Sequence, residues 1–179
     1  IEHLEICARL GKSIVIGTTG FPDSLKTAIL RAGRKIPIAM SPNFAVGVNA
    51  LFKLAEVAAG ILGDDFDVEI VEAHHRNKVD APSGTALKLG EVIASSLKRD
   101  LKKEARHGRE GDTGVRPLKQ IGFHAIRGGD IVGEHTVIFA GAGERVELTI
   151  RSQSRMTYAL GALRAVKFLR GKRPGVYDM

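Results

Sequence analysis

The chain has 179 residues, 44% of them hydrophobic, which is enough for one ordinary domain or for one and a half small ones with a real core. A net charge of +7 indicates anionic partners, but the basic residues are scattered among acids and aromatic residues are few, which argues against nucleic acid. The most apolar stretch, residues 50–62, is too short to span a membrane and carries Lys53 and Glu56, and the single Cys7 excludes an internal disulfide, which fits the cytoplasm.

Helices and short apolar strands alternate in the first part of the chain. The pattern predicts a helix over residues 1–10, a strand over 13–16, a helix over 22–32 and a strand over 36–40. Gly11 and Gly33 stand where glycines commonly close helices. This order is typical of a parallel α/β sheet. Because no strand precedes the first helix, we expect the chain to be a piece of a longer protein.

The middle of the chain is predicted to hold two helices separated by a strand. Residues 46–62 are apolar nearly all round, which predicts a helix buried on most sides. Alternation predicts a strand over residues 67–72, and a helix is expected from Ser83 to about Lys98. Residues 98–118 are charged and glycine-rich, so we expect a long loop that is functional or mobile.

Three alternating segments near the end of the chain predict an antiparallel meander over residues 121–126, 131–139 and 145–151. A last helix over residues 156–169 should end at Gly171. The expected fold is therefore a parallel α/β piece joined to an α+β piece with a mixed or antiparallel sheet.

The segment EAHHRNKVDAPSGTALKLGE, residues 72–91, gathers proton-carrying and cationic side chains before a helix. His74 and His75 should point to opposite faces of a strand, so one of them can act as a proton donor. An ammonium at Lys78 can stabilise developing negative charge. The alternative for paired histidines is a metal site or polar core residues, but so many cations would repel a metal ion. We therefore expect a small, multiply anionic substrate and no metal.

Ser83, Gly84 and Thr85 open the helix that follows. A serine N-cap beside a glycine leaves first-turn N–H groups available to an anion. The alternative is an ordinary capped helix, but the upstream cations at His75 and Lys78 favour a carboxylate at this position.

Two segments follow predicted strands and lie where ligands of parallel sheets bind, namely residues 17–20 and 41–44. Either can be an ordinary loop, and the chain contains no G-x-G-x-x-G cradle for a pyrophosphate. Arg155 is either a further anion contact or a solvated cation.

The segment EAHHRNKVDAPSGTAL resembles the signature of the dihydrodipicolinate reductase family. VIGTTGF, SPNFAVGVN, IGFHAIRGGDIVGEHTVIF and SRMTYALGALRA resemble the family in the same order, so the resemblance covers almost the whole chain. It implies reduction of the cyclic dicarboxylate 4-hydroxy-tetrahydrodipicolinate to tetrahydrodipicolinate, with NADPH or NADH, on the diaminopimelate route to lysine.

The resemblance also implies residue roles. His74 is similar to the proton donor of the family and Lys78 to the lysine paired with it. The candidate substrate contacts are His75, Ser83, Gly84, Thr85 and Arg155. The candidate cofactor contacts are Gly17, Thr18, Thr19, Ser41, Pro42, Asn43 and Phe44.

The family's domains would place a partial, Rossmann-like dinucleotide-binding domain at residues 1–45 and a substrate-binding domain that forms a homotetramer at residues 46–154. Residues 155–179 would return to the first domain. Since the family's first βαβ unit is absent, the choice between NADPH and NADH cannot be read, and we expect this chain alone to bind nucleotide weakly.

Two other functions remain open at this point. One is another NAD(P)-dependent dehydrogenase of a small anionic substrate, for which Cys7, in a predicted helix, is a poor nucleophile. The other is a non-catalytic tetramerisation or effector-binding fragment.

Overall fold

The computed structural model describes residues 1–18 and 21–179, and it divides the chain into two compact units. The first unit comprises Ile1–Asn49 with Met156–Met179, and the second comprises Ala50–Arg155. The last helix and strand of the chain therefore belong with its first 49 residues.

The described part of the chain forms helices and strands in the following order. They are α1 (Glu2–Arg9), β1 (Ile14–Ile16), α2 (Asp23–Gly33), β2 (Pro37–Met40), α3 (Val46–Leu62), a 3-10 turn (Gly63–Asp65), β3 (Asp67–His74), α4 (Gly84–Ser96), α5 (Leu101–Glu104), β4 (Ala105–His107), β5 (Ile121–Arg127), β6 (Gly133–Ala140), β7 (Arg145–Ser152), α6 (Met156–Leu169) and β8 (Gly175–Tyr177).

A parallel sheet with the order β1-β2-β8 forms the centre of the first unit. Successive residues of β2 face opposite sides of this sheet. Ile38 clusters with Leu4 of α1 and Ile29 of α2, whereas Ala39 clusters with Ala165 of α6. The unit is therefore a helix–sheet–helix sandwich, and the predicted parallel α/β arrangement is confirmed. The short strand β8 was not predicted.

Three glycines lie at helix ends in this unit, and they are there for two different reasons. Gly11 and Gly171 have φ of 63° and 71°, the left-handed backbone expected just after a helix. Gly33 was expected to do the same, but it is the last residue inside α2. A Cβ at Gly33 would lie 2.6 Å from Cγ2 of Val176, so the position is glycine because α2 packs closely on β8.

A five-stranded sheet with the order β4-β5-β3-β6-β7 forms the second unit. Strand β3 is parallel to β5 and antiparallel to β6. The predicted mixed sheet is confirmed, but the meander is wrong for β5, because β3 lies between β5 and β6. Val68 and Ile70 of β3 are 0% exposed under α4, which fits a central strand better than an edge strand.

Helix α4 covers one face of this sheet, where it contacts β3, β5 and β6. Leu89 and Ile93 of α4 are fully buried. A Cβ at Gly90 would overlap the ring of Phe123 on β5, so the helix can approach the sheet this closely only with glycine at that position. We call the face under α4 the inner face and the opposite one the outer face.

Helix α3 is less buried than its composition predicts. Its buried side chains form one stripe, which includes Val48, Leu51, Ala55 and Ala59. Leu54, Val57 and Ile61 are 47–78% exposed, so the expectation of burial on most sides is wrong. By length and composition alone Val46–Asp65 could cross a membrane, with 22% of its most apolar window buried, a test that core helices also pass.

The segment 98–118 is not one long loop as predicted. Asp100 accepts a hydrogen bond from the Lys102 N–H and begins α5, after which β4 pairs with β5. The rest of the segment is tied to the outer face, because Arg109 and Arg116 both bind Glu69 of β3.

Glu69 is the centre of a charged cluster on the outer face. Arg109 donates two hydrogen bonds to its carboxylate, and Arg116 and His124 also bind it. Burial raises the pKa of Glu69, but these hydrogen bonds outweigh burial and lower the pKa from 4.5 to about 2. The carboxylate is therefore charged through most of the acidic range.

We predict that Glu69→Gln lowers the free energy of unfolding by about 1–3 kcal/mol near neutral pH, because Arg109 and Arg116 lose the negative charge that they bind and one acceptor oxygen is replaced by an NH2 donor. A depressed folded-state pKa stabilises the protein above the unfolded value of 4.5, and this stabilisation is lost as the pH falls toward 2. Urea unfolding of wild type and variant should therefore converge with acidification. Glu147→Gln, at an exposed carboxylate that pairs with Arg145, is the control and should change little.

A second prediction concerns the contact of α4 with the sheet. Gly90→Ala should destabilise the protein by about 1–3 kcal/mol, since the added methyl group overlaps Phe123. Gly60→Ala in α3 is the matched control: its Cβ would meet only Ser96 Oγ at 3.4 Å, so the higher helix propensity of alanine should leave stability unchanged or raised. Thermal unfolding measures both, and equal stability of the two variants would contradict the packing described here.

Candidate active site

The candidate site lies at the carboxyl end of β3, on the inner face. Glu72 and His74 are two residues apart and so point to the same side of the strand. Both are buried, at 1% and 8% exposure. His135 of β6, which stands opposite Glu72 in the ladder, is also buried. The sheet thus brings an acid and two imidazoles together next to the start of α4.

The Glu72 carboxylate accepts hydrogen bonds from three groups. Arg127 Nη1 and Nη2 lie 2.8 and 2.7 Å from its two oxygens, the backbone N–H of Ser83 lies 3.1 Å from Oε1, and His74 Nδ1 lies 2.5 Å from Oε2. Burial raises the pKa of Glu72, but the hydrogen bonds from Arg127 and His74 outweigh it, so the net direction is downward. Glu72 is therefore a carboxylate at neutral pH.

His74 is held at one ring nitrogen. An ionised carboxylate can only accept, so the hydrogen between Glu72 and His74 belongs to Nδ1. Nε2 is then the ring nitrogen left for proton exchange. Burial lowers the pKa of His74, the contact with Glu72 raises it, and the charges of Lys78 and Arg127 lower it again. The net direction is downward.

His135 and Ser83 form a second buried pair. Ser83 Oγ accepts a hydrogen bond from the Ala86 N–H at 3.2 Å and lies 2.9 Å from His135 Nε2, in a hydrogen bond whose donor depends on the tautomer of His135. Burial, followed by the charge of His74, lowers the pKa of His135 to about 4. A neutral His135 can accept this hydrogen bond, and its ring meets that of His74 edge-on with centroids 5.1 Å apart.

Ser83 is the N-cap of α4, as predicted. Its hydroxyl is hydrogen-bonded to His135, and its N–H donates to Glu72. Both groups of Ser83 are therefore bound within the protein, and its role as a substrate contact stays a prediction. Gly84 has open space where a Cβ would lie, and Thr85 is buried in the first turn. The first turn of α4 therefore presents an exposed backbone at Gly84 close in sequence to His74 and Lys78.

The loop between β3 and α4 is held by one ion pair and by a hydrogen bond from Arg127. Lys78 Nζ lies 2.7 Å from Asp80 Oδ1, and Arg127 Nη2 donates to the backbone oxygen of Asp80 at 2.6 Å. The hydrogen bond from Lys78 lowers the pKa of Asp80. His75, which is half-buried, accepts a turn hydrogen bond from the Lys78 N–H.

The predicted cofactor segments lie in the first unit. β1 and β2 are parallel, and the Ser41 N–H donates to Ile16 O at 3.3 Å, so both segments meet at the same edge of the sheet. A Cβ added at Gly17 would lie 3.5 Å from the ring of Phe44, so the backbone of Gly17 lies close to that ring. Ser41 is buried and its hydroxyl donates to Asn43 O.

The same edge presents Gly17, Thr18 and Pro42 to solvent. Thr19 lies outside the residues that the structure describes. Exposed neutral groups at the carboxyl edge of a parallel sheet fit part of a nicotinamide cofactor. Arg155 is exposed, at the last residue of the second unit, and the contacts of the described residues do not join it to His74. In the described part of the chain no cluster of three His, Cys, Asp or Glu could hold a metal ion.

Sequence reasoning missed three residues of this site, namely Glu72, Arg127 and His135. A signal for Glu72 was present, since an acid two residues before His74 must share its face of the strand. Arg127 and His135 had no comparable signal, because strand pairing alone brings them to β3.

Comparison with known proteins places the chain in a family. The model for the dihydrodipicolinate reductase C-terminus matches residues 47–179, and the model for the N-terminus of the same family matches residues 1–44. Two curated 4-hydroxy-tetrahydrodipicolinate reductases, from Aromatoleum aromaticum and Dechloromonas aromatica, are 61% and 59% identical over all 179 residues. The chain spans 65% and 67% of their lengths.

A solved structure gives the same result. Dipicolinate-bound dihydrodipicolinate reductase from Paenisporosarcina sp. TG-14 matches with a TM-score of 0.77 and 29% identity, over 99% of this chain and 66% of that one. The family models together match nearly every residue, which agrees with the order of motifs seen in the sequence. The chain therefore belongs to the dihydrodipicolinate reductase family.

Proposed function

We propose that this chain is part of an enzyme that reduces 4-hydroxy-tetrahydrodipicolinate to tetrahydrodipicolinate with loss of water, in the diaminopimelate route to lysine. The observation that carries the proposal is His74, a buried imidazole whose Nδ1 is bound to a carboxylate, at the end of β3 and directly before the loop that carries Lys78 and leads to α4. The names of the relatives and the dipicolinate bound to the solved relative support this choice of substrate.

The start of α4 is suited to bind one carboxylate of such a substrate. The first backbone N–H groups of α4 precede the intrahelical hydrogen bonds, apart from the Ala86 N–H, which donates to Ser83 Oγ, and the helix dipole favours an anion there. Gly84 lets the substrate approach the backbone, with Thr85 beside it. We assign these two residues, together with His75, as the main substrate contacts, and Ser83 as the residue that holds the helix start in place. Arg155 remains a candidate contact.

His74 and Lys78 would carry the chemistry on the substrate. A nicotinamide cofactor, NADPH or NADH, supplies the hydride when bound, and Gly17, Thr18 and the turn Ser41–Phe44 would hold it. Hydride arrival leaves negative charge on the substrate. Lys78 stabilises this charge as an ammonium, and His74 donates the proton that neutralises it from Nε2.

We also propose that the enzyme is a cytoplasmic homotetramer that assembles through the second unit. Support comes from the outer face of the five-stranded sheet, where Val71 and Ile138 are half-buried and Ile126 is 52% exposed. Strand β7 is an edge strand, and such edges are usually covered.

Binding of pyridine-2,6-dicarboxylate, a flat dicarboxylate, tests the proposed substrate site. We expect calorimetry to show binding to the wild type and a loss of about tenfold or more in affinity for Thr85→Val, since a hydrogen bond to a charged group is lost. Thr27→Val, in which the exposed hydroxyl bonds only to its own helix, is the control and should bind like the wild type. Equal binding by both variants would remove Thr85 from the site.

The role of Lys78 is tested by turnover. Lys78→Ala should lower kcat by about 10²–10³-fold, because a charge-stabilising donor is lost, while Lys102→Ala, at an exposed lysine of α5, should leave kcat unchanged. Oxidation of NADPH and of NADH in the presence of substrate measures this. A Lys78→Ala enzyme with unchanged turnover would contradict the assignment.

A further inference from the structure

The buried carboxylate of Glu72 is a part of the site that the proposed chemistry does not yet use. Its side chain is 1% exposed. Burying a carboxylate and a guanidinium together is commonly no more stabilising than an apolar pair of the same size. Stability alone therefore gives no reason for Glu72 and Arg127 to occupy the inner face, and the contacts of Glu72 indicate another reason.

Those contacts converge on His74. Arg127 and the Ser83 N–H account for three of the hydrogen bonds to Glu72 and hold its carboxylate in one orientation. In that orientation Oε2 faces His74 Nδ1. The carboxylate is fixed by β5 and by the start of α4, so the imidazole ring is oriented by groups outside its own strand.

The contact also decides which nitrogen exchanges protons. Since Glu72 accepts, Nδ1 keeps its hydrogen whether the ring is neutral or cationic. Without this acceptor a neutral imidazole could place its hydrogen on either nitrogen. With it, the proton gained and lost during turnover is confined to Nε2, the nitrogen on the other side of the ring.

The charges around His74 disfavour a cationic ring, and the carboxylate of Glu72 opposes them. Lys78 and Arg127 both oppose a positive charge on His74, and His135 packs against the ring in neutral form. The negative charge of Asp80 is paired with Lys78. Glu72 is the anion in direct contact with the ring, and it opposes both the neighbouring cations and the burial.

We propose that Glu72 is a positioning residue for the reduction, which holds His74 through Nδ1 so that the imidazolium forms and releases its proton from Nε2. This inference rests on the proposed function, in which His74 is the proton donor. Arg127 serves the same end by fixing the Glu72 carboxylate.

Glu69 provides a matched control on the same strand. It too is a carboxylate bound by arginine and by a histidine nitrogen, but it lies three residues earlier and so on the outer face. Glu69→Gln and Glu72→Gln therefore remove the same charge from carboxylates with similar partners, one 18% and the other 1% exposed. Only Glu72→Gln should change the behaviour of His74.

The first experiment is an NMR titration of the histidine side chains, assigned with a His74→Gln variant. In Glu72→Gln the pKa of His74 should fall by about one unit or more, because an adjacent opposite charge is lost, and the neutral ring should no longer hold its hydrogen on Nδ1 alone. In Glu69→Gln the titration of His74 should match the wild type. An unchanged His74 in Glu72→Gln would overturn the inference.

The second experiment is steady-state reduction at several pH values. Glu72→Gln should lower kcat by about tenfold or more and move the loss of activity at high pH to lower pH, with little change in the affinity for pyridine-2,6-dicarboxylate. Glu69→Gln should keep both the profile and kcat. Equal losses of kcat in the two variants, without a shift of the pH profile of kcat in Glu72→Gln, would show that Glu72 has only a structural role and would overturn the inference.

Glu72→Asp is a second variant that tests the same inference if Glu72→Gln fails to fold. It retains the charge beside Arg127 but withdraws the acceptor from Nδ1, so kcat should fall while the pKa of His74 changes less than in a neutral variant. Wild-type kcat in Glu72→Asp would overturn the positioning role. If the wild type does not bind pyridine-2,6-dicarboxylate, the proposed function fails, whereas the titration still decides whether Glu72 controls His74.

Discussion

The burial of one negative charge organises the second unit of this protein. A carboxylate at 1% exposure is tolerated only when cations and N–H groups replace the water it has lost. Glu72 obtains them from Arg127 on β5, from the start of α4 at Ser83, and from His74 on its own strand. Three elements are thereby joined at one point, beside His74, the residue that we propose as the proton donor.

Because alternate side chains of β3 point to opposite faces of the sheet, this strand places one carboxylate on each face. Glu72 is directed to the inner face, and Glu69, an odd number of residues away, to the outer face. There Glu69 binds Arg109 and Arg116 and so holds the segment after β4 against the sheet. The central position of β3, between β5 and β6, places both carboxylates within reach of side chains from neighbouring strands.

Close packing at glycine positions organises the first unit, as it does for α4 in the second. A Cβ at Gly161 of α6 would overlap the backbone oxygen of Phe44, so the last helix can lie against the turn after β2 only with glycine there. Gly33 plays the same part between α2 and β8. These contacts hold the turn Ser41–Phe44 beside Gly17, at the sheet edge that we assign to the cofactor.

Periodicity and local motifs were sufficient to predict every helix except the short α5, most strands, the N-cap at Ser83 and the presence of His74 and Lys78 near a helix start, because each depends on residues close in sequence. They could not predict that β3 separates β5 from β6, nor that α3 leaves Leu54 and Val57 exposed. Strand order and burial depend on which apolar surfaces meet, and neighbours far apart in sequence decide that. The sequence placed Glu72 on the same strand face as His74, but only the tertiary structure shows that Arg127 and Ser83 hold its carboxylate against Nδ1.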